Sequence, residues 1–470
     1  MGLENLESII IDASVFERGV GQNNFDEDAG LSPDLKGQNL FKDQGKILYP
    51  QPAGTDLSTN LLDDPIAYCT DPTYLGHDAF IVDEGGNFYT LNGTTLTKRQ
   101  TDSTGNVYLF GTTDCVVFMG KFFATCQDDI IMIDGISTLA TPDWVWWTTT
   151  KGKSALNSNY RHYLVVVEDT MFIMDKNKIH TWDGTTATQD AMSLPDGVNI
   201  TAVEKHEDGI HLLVFTSETV NYSHTLKPKS TVFYVDTRTL EFVREVPISD
   251  QTEGALNVDG TVFTASGENL GYFTGSGNKF LRKIALPPSI AATYKFKMAN
   301  FNGVLMVVDN NSVLAFGDIN AKGNIFFYPF YNDATGNGEI RSIFPVGGNC
   351  LLAAYAVSGT PKLLKLDFDN TDGLTPAKTR AISFPSKIWI REITVELASP
   401  LTSGSDLYFF YTNSAGSDRQ LMNMNFTTHG AIRSKTSRPN YKTDLLHIKY
   451  TPLAVSKGVR RIIIKYESAE

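Results

Sequence analysis

A spacing of 42 to 50 residues recurs between about residues 79 and 375, and it constrains the fold more than any other feature of the sequence. Each unit is an apolar run, a turn rich in acidic residues, Asn or Gly, and a second apolar run. The units begin at Phe80, Phe122, Leu164, Leu212, Val262, Leu305 and Leu351. A period of 40–50 residues is the length of one four-stranded propeller blade. The sequence therefore predicts an all-β fold built on a β-propeller of about seven blades.

The repeat alone leaves six or eight blades open. The fourth unit is weak, and residues 220–250 hold an extra pair of apolar runs, Thr231–Val235 and Phe242–Val246. We interpret the two runs of each unit as the middle hairpin of a blade, because both would pack between neighbouring blades.

The two ends of the chain lack this repeat. Residues 1–75 are rich in Gly, Pro, Asn and Asp and are predicted to be an extended arm with the first strands. The best helical candidate is Leu3 to Ile10, a short segment that could equally be part of the extended arm. Residues 76–375 form the predicted β-propeller. Residues 376–470 alternate strand patterns with turn signals, which predicts a separate basic β-sandwich domain.

Charge is unevenly distributed along the chain. The net charge is -13, from 40 basic and 53 acidic residues, which argues against specific DNA binding. Residues 376–470 contain 14 Lys/Arg and 7 Asp/Glu, whereas the rest contains 26 and 46. This asymmetry favours docking between unlike parts of neighbouring subunits or against an acidic partner.

The sequence has no apolar run of about 18 residues, so no membrane-spanning helix is expected. Its start lacks the pattern of a signal peptide. Its four cysteines are far apart and form no CxxC, which predicts reduced, buried thiols in a cytosolic product. They are Cys69, Cys115, Cys126 and Cys350.

Acidic residues recur at equivalent turns of six units. They are Asp83, Asp128, Glu168, Glu218, Glu268 and Asp309. Propeller glycosidases use two or three carboxylates around the central tunnel. However, hairpin chemistry alone predicts one acid in each turn, whereas a catalytic pair should break the repeat. We therefore interpret these acids as structural and expect no catalytic residue.

The most aromatic segment is Asp143-Trp144-Val145-Trp146-Trp147. On a strand, Trp144 and Trp146 would share one face and Trp147 would take the other. An exposed Trp pair could stack on sugar rings. The favoured alternative is packing in the core or at a subunit interface.

The remaining motifs predict neither a cofactor nor a metal. The eight histidines are His77, His162, His180, His206, His211, His224, His429 and His447. The nearest pair is His206 and His211, without HExxH or a Cys/His cluster. Asp367, Asp369, Asp372 and Gly373 resemble a calcium loop faintly, but their spacing favours a linker turn. Gly19 and Gly21 do not extend to GxGxxG, and the Trp182-Asp183 dipeptide occurs once, which argues against WD40 blades.

Taken together, the chain resembles the propeller-bearing hub or nozzle proteins of short bacteriophage tails. The resemblance covers the arm with Gly37-Gln-Asn-Leu40, blade ends such as Ile179-His-Thr-Trp-Asp-Gly184, and the terminal strand Arg461-Ile-Ile-Ile-Lys-Tyr466. It implies a non-enzymatic virion protein, made in the host cytoplasm, that forms a ring, usually of six copies, below the portal and its adaptor.

The resemblance further implies that the ring continues the DNA channel and holds fibres or a plug until ejection. An acidic channel wall would let DNA slide without sticking, and charge reversal at Arg460 and Arg461 is expected to weaken ring assembly. The alternatives are a glycan-binding or glycoside-hydrolysing propeller and a generic interaction scaffold.

Overall fold

The computed structural model describes part of the chain in detail. The described residues are 6–16, 38–39, 49–62, 65–69, 77–83, 87–101, 114–134, 143, 145–218, 230–249, 251–284, 297–317, 326–333, 338–347, 350–356, 361–371, 377–379, 382–402, 406–412, 417–446, 448–452 and 458–469. Strands dominate these residues, which confirms the all-β prediction. Within them, no helix has the length and apolar character that crossing a bilayer requires.

The strands are numbered in chain order. The first half of the chain contains β1 (Glu7–Ile11), β2 (Gln38–Asn39), β3 (Tyr49–Pro50), β4 (Pro52–Asp56), β5 (Pro65–Cys69), β6 (Ala79–Asp83), β7 (Asn87–Asn92), β8 (Thr95–Thr101), β9 (Cys115–Phe118), β10 (Lys121–Thr125), β11 (Ile130–Asp134), β12 (His162–Val167), β13 (Thr170–Asp175), β14 (Lys178–Trp182), β15 (Ala187–Ser193), β16 (Val198–Lys205), β17 (His211–Glu218) and β18 (Ser230–Asp236).

The second half contains β19 (Glu241–Ile248), β20 (Gly254–Val258), β21 (Thr261–Ser266), β22 (Asn269–Phe273), β23 (Asn278–Lys283), β24 (Met298–Phe301), β25 (Val304–Asp309), β26 (Ser312–Gly317), β27 (Phe326–Asn332), β28 (Glu339–Val346), β29 (Cys350–Ala356), β30 (Lys362–Thr371), β31 (Ala377–Lys378), β32 (Ile382–Leu397), β33 (Asp406–Thr412), β34 (Asp418–Asn425), β35 (Ser434–Ser437), β36 (Tyr441–Leu446), β37 (Ile448–Pro452) and β38 (Val459–Ser468). The described helices are α1 (Ala13–Phe16), α2 (Phe426–His429), a 3-10 turn (Ser58–Asn60) and a π-helix (Trp146–Thr150).

The chain divides into two compact units. The first unit comprises Met1–Gly54, Ser312–Ala334 and Leu366–Glu470, and the second comprises Thr55–Asn311 and Thr335–Lys365.

The second unit is a series of small antiparallel sheets, each built from strands consecutive in the chain. The sheet orders are β5-β6-β7-β8, β9-β10-β11, β12-β13-β14-β15, β16-β17-β18-β19 and β20-β21-β22-β23. The hairpin β24–β25 follows. In the last sheet, β4 from near the start of the chain lies beside β30, in the order β28-β29-β30-β4.

The first strands of these sheets form a closed circle of contacts. Along the described chain, β5, β9, β12, β16, β20, β24 and β28 each contact the next, and β28 contacts β5. At the closure, the Leu57 amide donates to the Leu363 carbonyl at 2.9 Å. Leu57 and Leu61 pack there with Leu91, Val346 and Leu352. A segment from near the start of the chain therefore joins the last sheet to the first.

The repeat in the sequence corresponds to observed hairpins. Phe80, for example, lies on β6, whose five residues are all buried, and β6 pairs with β7. Six of the seven sequence repeats begin on the second strand of their sheet or hairpin. The third repeat begins at Leu164, which lies on a first strand, β12. Phe80, Phe88 and Phe122 contact each other between the first two sheets, with ring centroids 5.4–5.6 Å apart. Burial on both faces explains why both runs of a unit are apolar.

The extra strand pair of residues 220–250 belongs to the fourth sheet. The predicted runs correspond to β18 and β19, which pair with each other and extend β16–β17 outward. They therefore complete an existing sheet.

The first unit contains the sheet β1-β38-β32-β35, in which β36 also pairs with β32, and the sheet β31-β37-β33-β34. It also contains the hairpin β26–β27 and the pair β2–β3. The strand patterns predicted over Ile388–Val395, Asp406–Tyr411, Leu445–Tyr450 and Arg460–Tyr466 correspond to β32, β33, β36–β37 and β38.

The helix predicted for Leu3 to Ile10 is wrong over its described part. Glu7–Ile11 is strand β1, in which Ile9 pairs with Ile464 and Ile10 with Ile463. Ile462 and Ile464 are buried on β38. Pairing with this distant, β-branched strand overrides the weak local helical pattern.

Candidate functional site

The turn between β16 and β17 brings together His206, Asp208 and His211. The His206 amide donates to the His211 carbonyl at 2.9 Å, and the Gly209 amide donates to the His206 carbonyl at 3.0 Å. Gly209 has a φ of 70°, a conformation that glycine adopts without steric cost. The Asp-Gly sequence thus closes a tight turn that places the two histidines across from each other.

Asp208 holds the centre of this cluster. Its Oδ1 accepts the backbone amides of Ile210 at 2.8 Å and His211 at 2.9 Å. Its Oδ2 lies 2.8 Å from His206 Nδ1 and 2.7 Å from His211 Nδ1. One carboxylate oxygen is fixed by the backbone, and the other meets two imidazole nitrogens.

The electrostatics of the turn favour an ionised Asp208. Partial burial would raise the pKa of this carboxyl, but hydrogen bonds from His211, Ile210 and His206 outweigh that effect and hold its pKa far below its usual range. The exposed fractions of the side chains are 27% for His206, 35% for Asp208 and 24% for His211. A ligand can therefore reach the cluster from solvent.

The surroundings of the cluster are mostly acidic or aromatic. The Tyr234 ring lies 5.5 Å from the His206 ring, and the Arg244 guanidinium lies 5.5 Å from the Tyr234 ring. Burial raises the pKa of Tyr234; the Arg244 charge opposes this shift, and the charges of Asp208 and Glu207 add to it.

Sequence analysis identified His206 and His211 as the nearest histidine pair but missed Asp208. The ligand atoms of the three residues lie within 4.8 Å of one another. The missed signal was the Asp-Gly turn, because a tight hairpin turn brings residues five apart into contact. The cluster could hold a small divalent cation through two nitrogens and one oxygen.

A second histidine cluster is buried. His162 Nδ1 lies 3.5 Å from Asp175 Oδ1, and His180 Nε2 lies 3.9 Å from Asp175 Oδ2. Burial lowers the pKa of His162, although the charge of Asp175 opposes the shift. These residues are almost inaccessible to solvent, so we assign them to the core. Of the other histidines, His77 and His429 are partly buried, and His224 and His447 lie outside the described residues.

Four charged groups lie at the starts of the first strands. Lys297 precedes β24 and is 2% exposed. Burial lowers its pKa to about 8, with a further contribution from Arg161, while Glu253 and Glu339 oppose the shift. The sequence does not reveal this group, because consecutive members are 42 to 92 residues apart and come near one another only when the strands assemble.

Three of the six recurring acids make structural interactions. Asp83 is fully buried: its carboxylate accepts from the Asn87 amide at 2.8 Å and from the Tyr89 hydroxyl at 2.8 Å. Glu168 and Glu268 form ion pairs with Arg238 and Lys283 on the surface. The other three hold different positions: Asp128 in the β10–β11 loop, and Glu218 and Asp309 at the last residues of β17 and β25.

Trp146–Thr150 is a π-helix and not a strand, so the alternation of faces considered for these tryptophans does not apply. The buried carboxylate of Asp129 accepts the Trp147 amide at 2.9 Å, and the Trp146 ring lies 4.9 Å from the rings of Phe123 and Trp182. Trp146 is 2% exposed and Trp147 is 0% exposed. These two rings are core residues and offer no surface for sugar stacking. Trp144 lies outside the described residues.

The remaining predicted positions carry no described site. Asp367 and Asp369 lie on β30, so the predicted linker turn is wrong for them; the Asp369 amide donates to Asp367 Oδ1 at 2.9 Å. Cys115 and Cys126 are buried as predicted, and Cys350 is half-buried. Outside the described residues lie Asp372, Gly373, Gly19, Gly21 and the Cys69 side chain.

Comparison with known proteins identifies no family. No family matches the sequence, and no curated protein matches it. The WD40 domain of Neurospora crassa Pan2 is similar at a TM-score of 0.43 and 9% identity, over 69% of this chain and 98% of that one. The Dos1 propeller is similar at 0.38 and 11%, over 69% and 96%. An exo-β-1,3-galactanase from Phanerochaete chrysosporium is similar at 0.32 and 9%, over 88% and 99%. Likeness at this level assigns no activity.

Proposed function

We propose that this chain is a structural virion protein of a tailed phage, built on a seven-bladed β-propeller with a C-terminal β-sandwich. The series of small sheets in the second unit, with first strands that contact each other in a closed circle, supports the propeller. The two sheets formed mainly by residues 377–468 support the sandwich. In this proposal the protein forms a ring, of six copies, that continues the DNA channel of the tail.

The observation that carries the proposal is the excess of basic side chains in residues 376–470 that remain outside the ion pairs of the segment. Four of the seven acids there are paired within the same segment. The pairs are Glu392 with Arg438 and Lys465, Glu396 with Arg461, Asp418 with Lys449, and Glu467 with Arg391. Exposed basic residues remain outside these pairs, including Lys387, Arg419 and Arg460. A basic segment of this kind would suit docking on the acidic part of a neighbouring copy.

A non-enzymatic role fits the described acids. Three of the six that recur along the sequence, Asp83, Glu168 and Glu268, bind neighbouring residues as structural acids do. A ring protein of this kind would contact the portal or its adaptor, tail fibres or a plug, and double-stranded DNA that passes without specific binding. It would be made in the host cytoplasm and reside in the virion tail.

The proposal is tested by negative-stain imaging of the purified chain, with and without the products of neighbouring genes. We expect rings with a central hole wide enough for duplex DNA. Single particles that persist with every partner and bind an oligosaccharide would overturn the proposal in favour of a glycan-binding propeller.

Charge reversal then tests the docking. Arg461 is unsuitable because it forms a bidentate pair with Glu396. Arg460→Glu alters an exposed residue and should reduce the ring fraction, and its difference from the wild type should shrink at higher ionic strength because salt screens exposed charges. Lys98→Glu, which changes the net charge equally on exposed β8, is the control. Equal ring fractions in the two variants would exclude docking through this part of the surface.

A further inference from the structure

We propose that the β16–β17 turn is a binding site for a divalent transition-metal ion, with Zn²⁺ as the best-suited ion. The ligands are His206 Nδ1, Asp208 Oδ2 and His211 Nδ1. Two imidazoles and a carboxylate form a donor set that zinc uses in proteins. Sequence analysis expected no metal, and this site departs from that expectation.

The geometry needs only a small adjustment to hold the ion. Zinc lies about 2.0–2.2 Å from nitrogen and oxygen ligands, so tetrahedral ligand atoms are about 3.3 Å apart. Asp208 Oδ2 lies 2.8 Å and 2.7 Å from the two imidazole nitrogens, and all three ligand atoms lie within 4.8 Å of one another. Binding therefore requires Oδ2 to move about half an ångström away from each nitrogen and the two nitrogens to take the same spacing, which side-chain rotation in a half-exposed turn can supply.

The turn already orients the ligands. The amides of Ile210 and His211 fix Oδ1 of Asp208, so that Oδ2 points at the imidazoles. Hydrogen bonds to the remaining atoms of a ligand raise metal affinity by fixing its orientation. A neutral imidazole needs only to move its proton from Nδ1 to Nε2, whereas an imidazolium must release one.

Acidic residues near the cluster favour a cation. Glu207 adjoins Asp208 in the chain, and Asp236 pairs with His211 between β17 and β18. The nearby Arg244 guanidinium lies against the Tyr234 ring and donates to the Gly275 carbonyl. Three protein ligands leave at least one coordination position for water, because four is the usual number for zinc.

Calorimetric titration of the metal-free, full-length protein with zinc chloride tests the site. We expect one ion per chain, and affinity losses greater than about tenfold in His206→Gln, His211→Gln and Asp208→Asn. Asp208→Asn keeps an oxygen for the two backbone amides, so it should preserve the turn. His429→Gln, a partly buried histidine on α2 of the first unit, should bind zinc like the wild type.

Cobalt titration provides a second measurement. The visible absorption of bound Co²⁺ should appear in the wild type and His429→Gln but be lost in the three turn variants. Thermal melting in chelator confirms that the variants fold. Absence of zinc binding by the wild type, or binding retained at full affinity in the turn variants, would overturn the proposal.

Discussion

The buried carboxylate of Asp83 shows what a repeated acid does at the scale of a residue. It lies in the core and receives hydrogen bonds from the backbone and side chain of Asn87 and from Tyr89. A charged group at such a depth is stable only when it is well hydrogen-bonded. Another recurring acid, Glu168, instead forms a surface ion pair with Arg238.

We predict that Tyr89→Phe lowers the free energy of unfolding by about 1–3 kcal/mol, because it removes a hydrogen bond from a buried carboxylate. The hydroxyl also accepts the Leu62 amide at 3.1 Å, which adds to the loss. Urea denaturation of the full chain measures the change. Tyr272→Phe, a half-buried tyrosine on β22, should change it by less than about 0.5 kcal/mol. Similar losses in both variants would contradict the role of the Asp83 network.

The position of an acid relative to a hairpin could be predicted from the sequence more easily than the burial and partners of its carboxylate. The turn chemistry correctly placed acids near hairpin ends. It could not tell that Asp83 is buried, because its partner Tyr89 packs in a cluster with Val346 and Leu352 of the last sheet. Asp208 was missed for a related reason: its partners are close in sequence, but their convergence depends on the exact turn.

At the scale of the element, the period-2 pattern predicted hairpins well because each is built from adjacent residues. The errors occur where distant residues decide the structure. Strand β1 forms on β38, about 450 residues away in the sequence. The π-helix at Trp146 forms where Asp129 binds the Trp147 and Thr148 amides. Neither partner can be identified from local periodicity.

The bulge between β22 and β23 depends on a glycine for a steric reason. The register shifts between Leu270 and Gly271, and a Cβ atom at Gly271 would lie 2.5 Å from the Lys279 carbonyl oxygen. That oxygen belongs to the backbone and cannot move without distorting the sheet. Gly271 therefore allows the edge strand to approach closely.

We predict that Gly271→Ala destabilises the protein by about 1–3 kcal/mol, as overpacking does in other cores. Thermal and urea denaturation measure the loss. Gly267→Ala is the control for backbone strain. The φ of 56° at Gly267 makes a side chain there cost about 1–2 kcal/mol, but no atom lies within 4 Å of its Cβ position. The two variants separate backbone strain from steric overlap. Only Gly271→Ala should move β23 away from β22. Faster amide exchange on β23 would detect this movement. Unchanged exchange there would contradict the close approach.

At the scale of the whole molecule, a circle of sheets needs a closure, and the sequence did not reveal it. The segment predicted to be an extended arm supplies Leu57 and Leu61 to the junction of the last and first sheets. Ser58 strengthens the junction, because its hydroxyl accepts the Leu363 amide at 3.1 Å. Lys365 Nζ also donates to the Gly93 carbonyl at 2.7 Å. Closure by a segment distant in sequence ties the stability of the first and last sheets together.

This closure is tested by two leucines five residues apart. Leu57 is 4% exposed in the junction, whereas Leu62 is 61% exposed. Leu57→Ala should cost about 2–5 kcal/mol through lost burial and a cavity between the sheets, and Leu62→Ala should cost less than about 0.5 kcal/mol. Denaturation measures the loss of stability, and amide exchange shows which strands lose protection.

If the segment closes the circle, Leu57→Ala increases exchange in β5–β7 and in β28–β30 together, because neither sheet can keep its buried face without the other. Increased exchange in only one of the two sheets would mean that the segment covers that sheet without joining it to its neighbour.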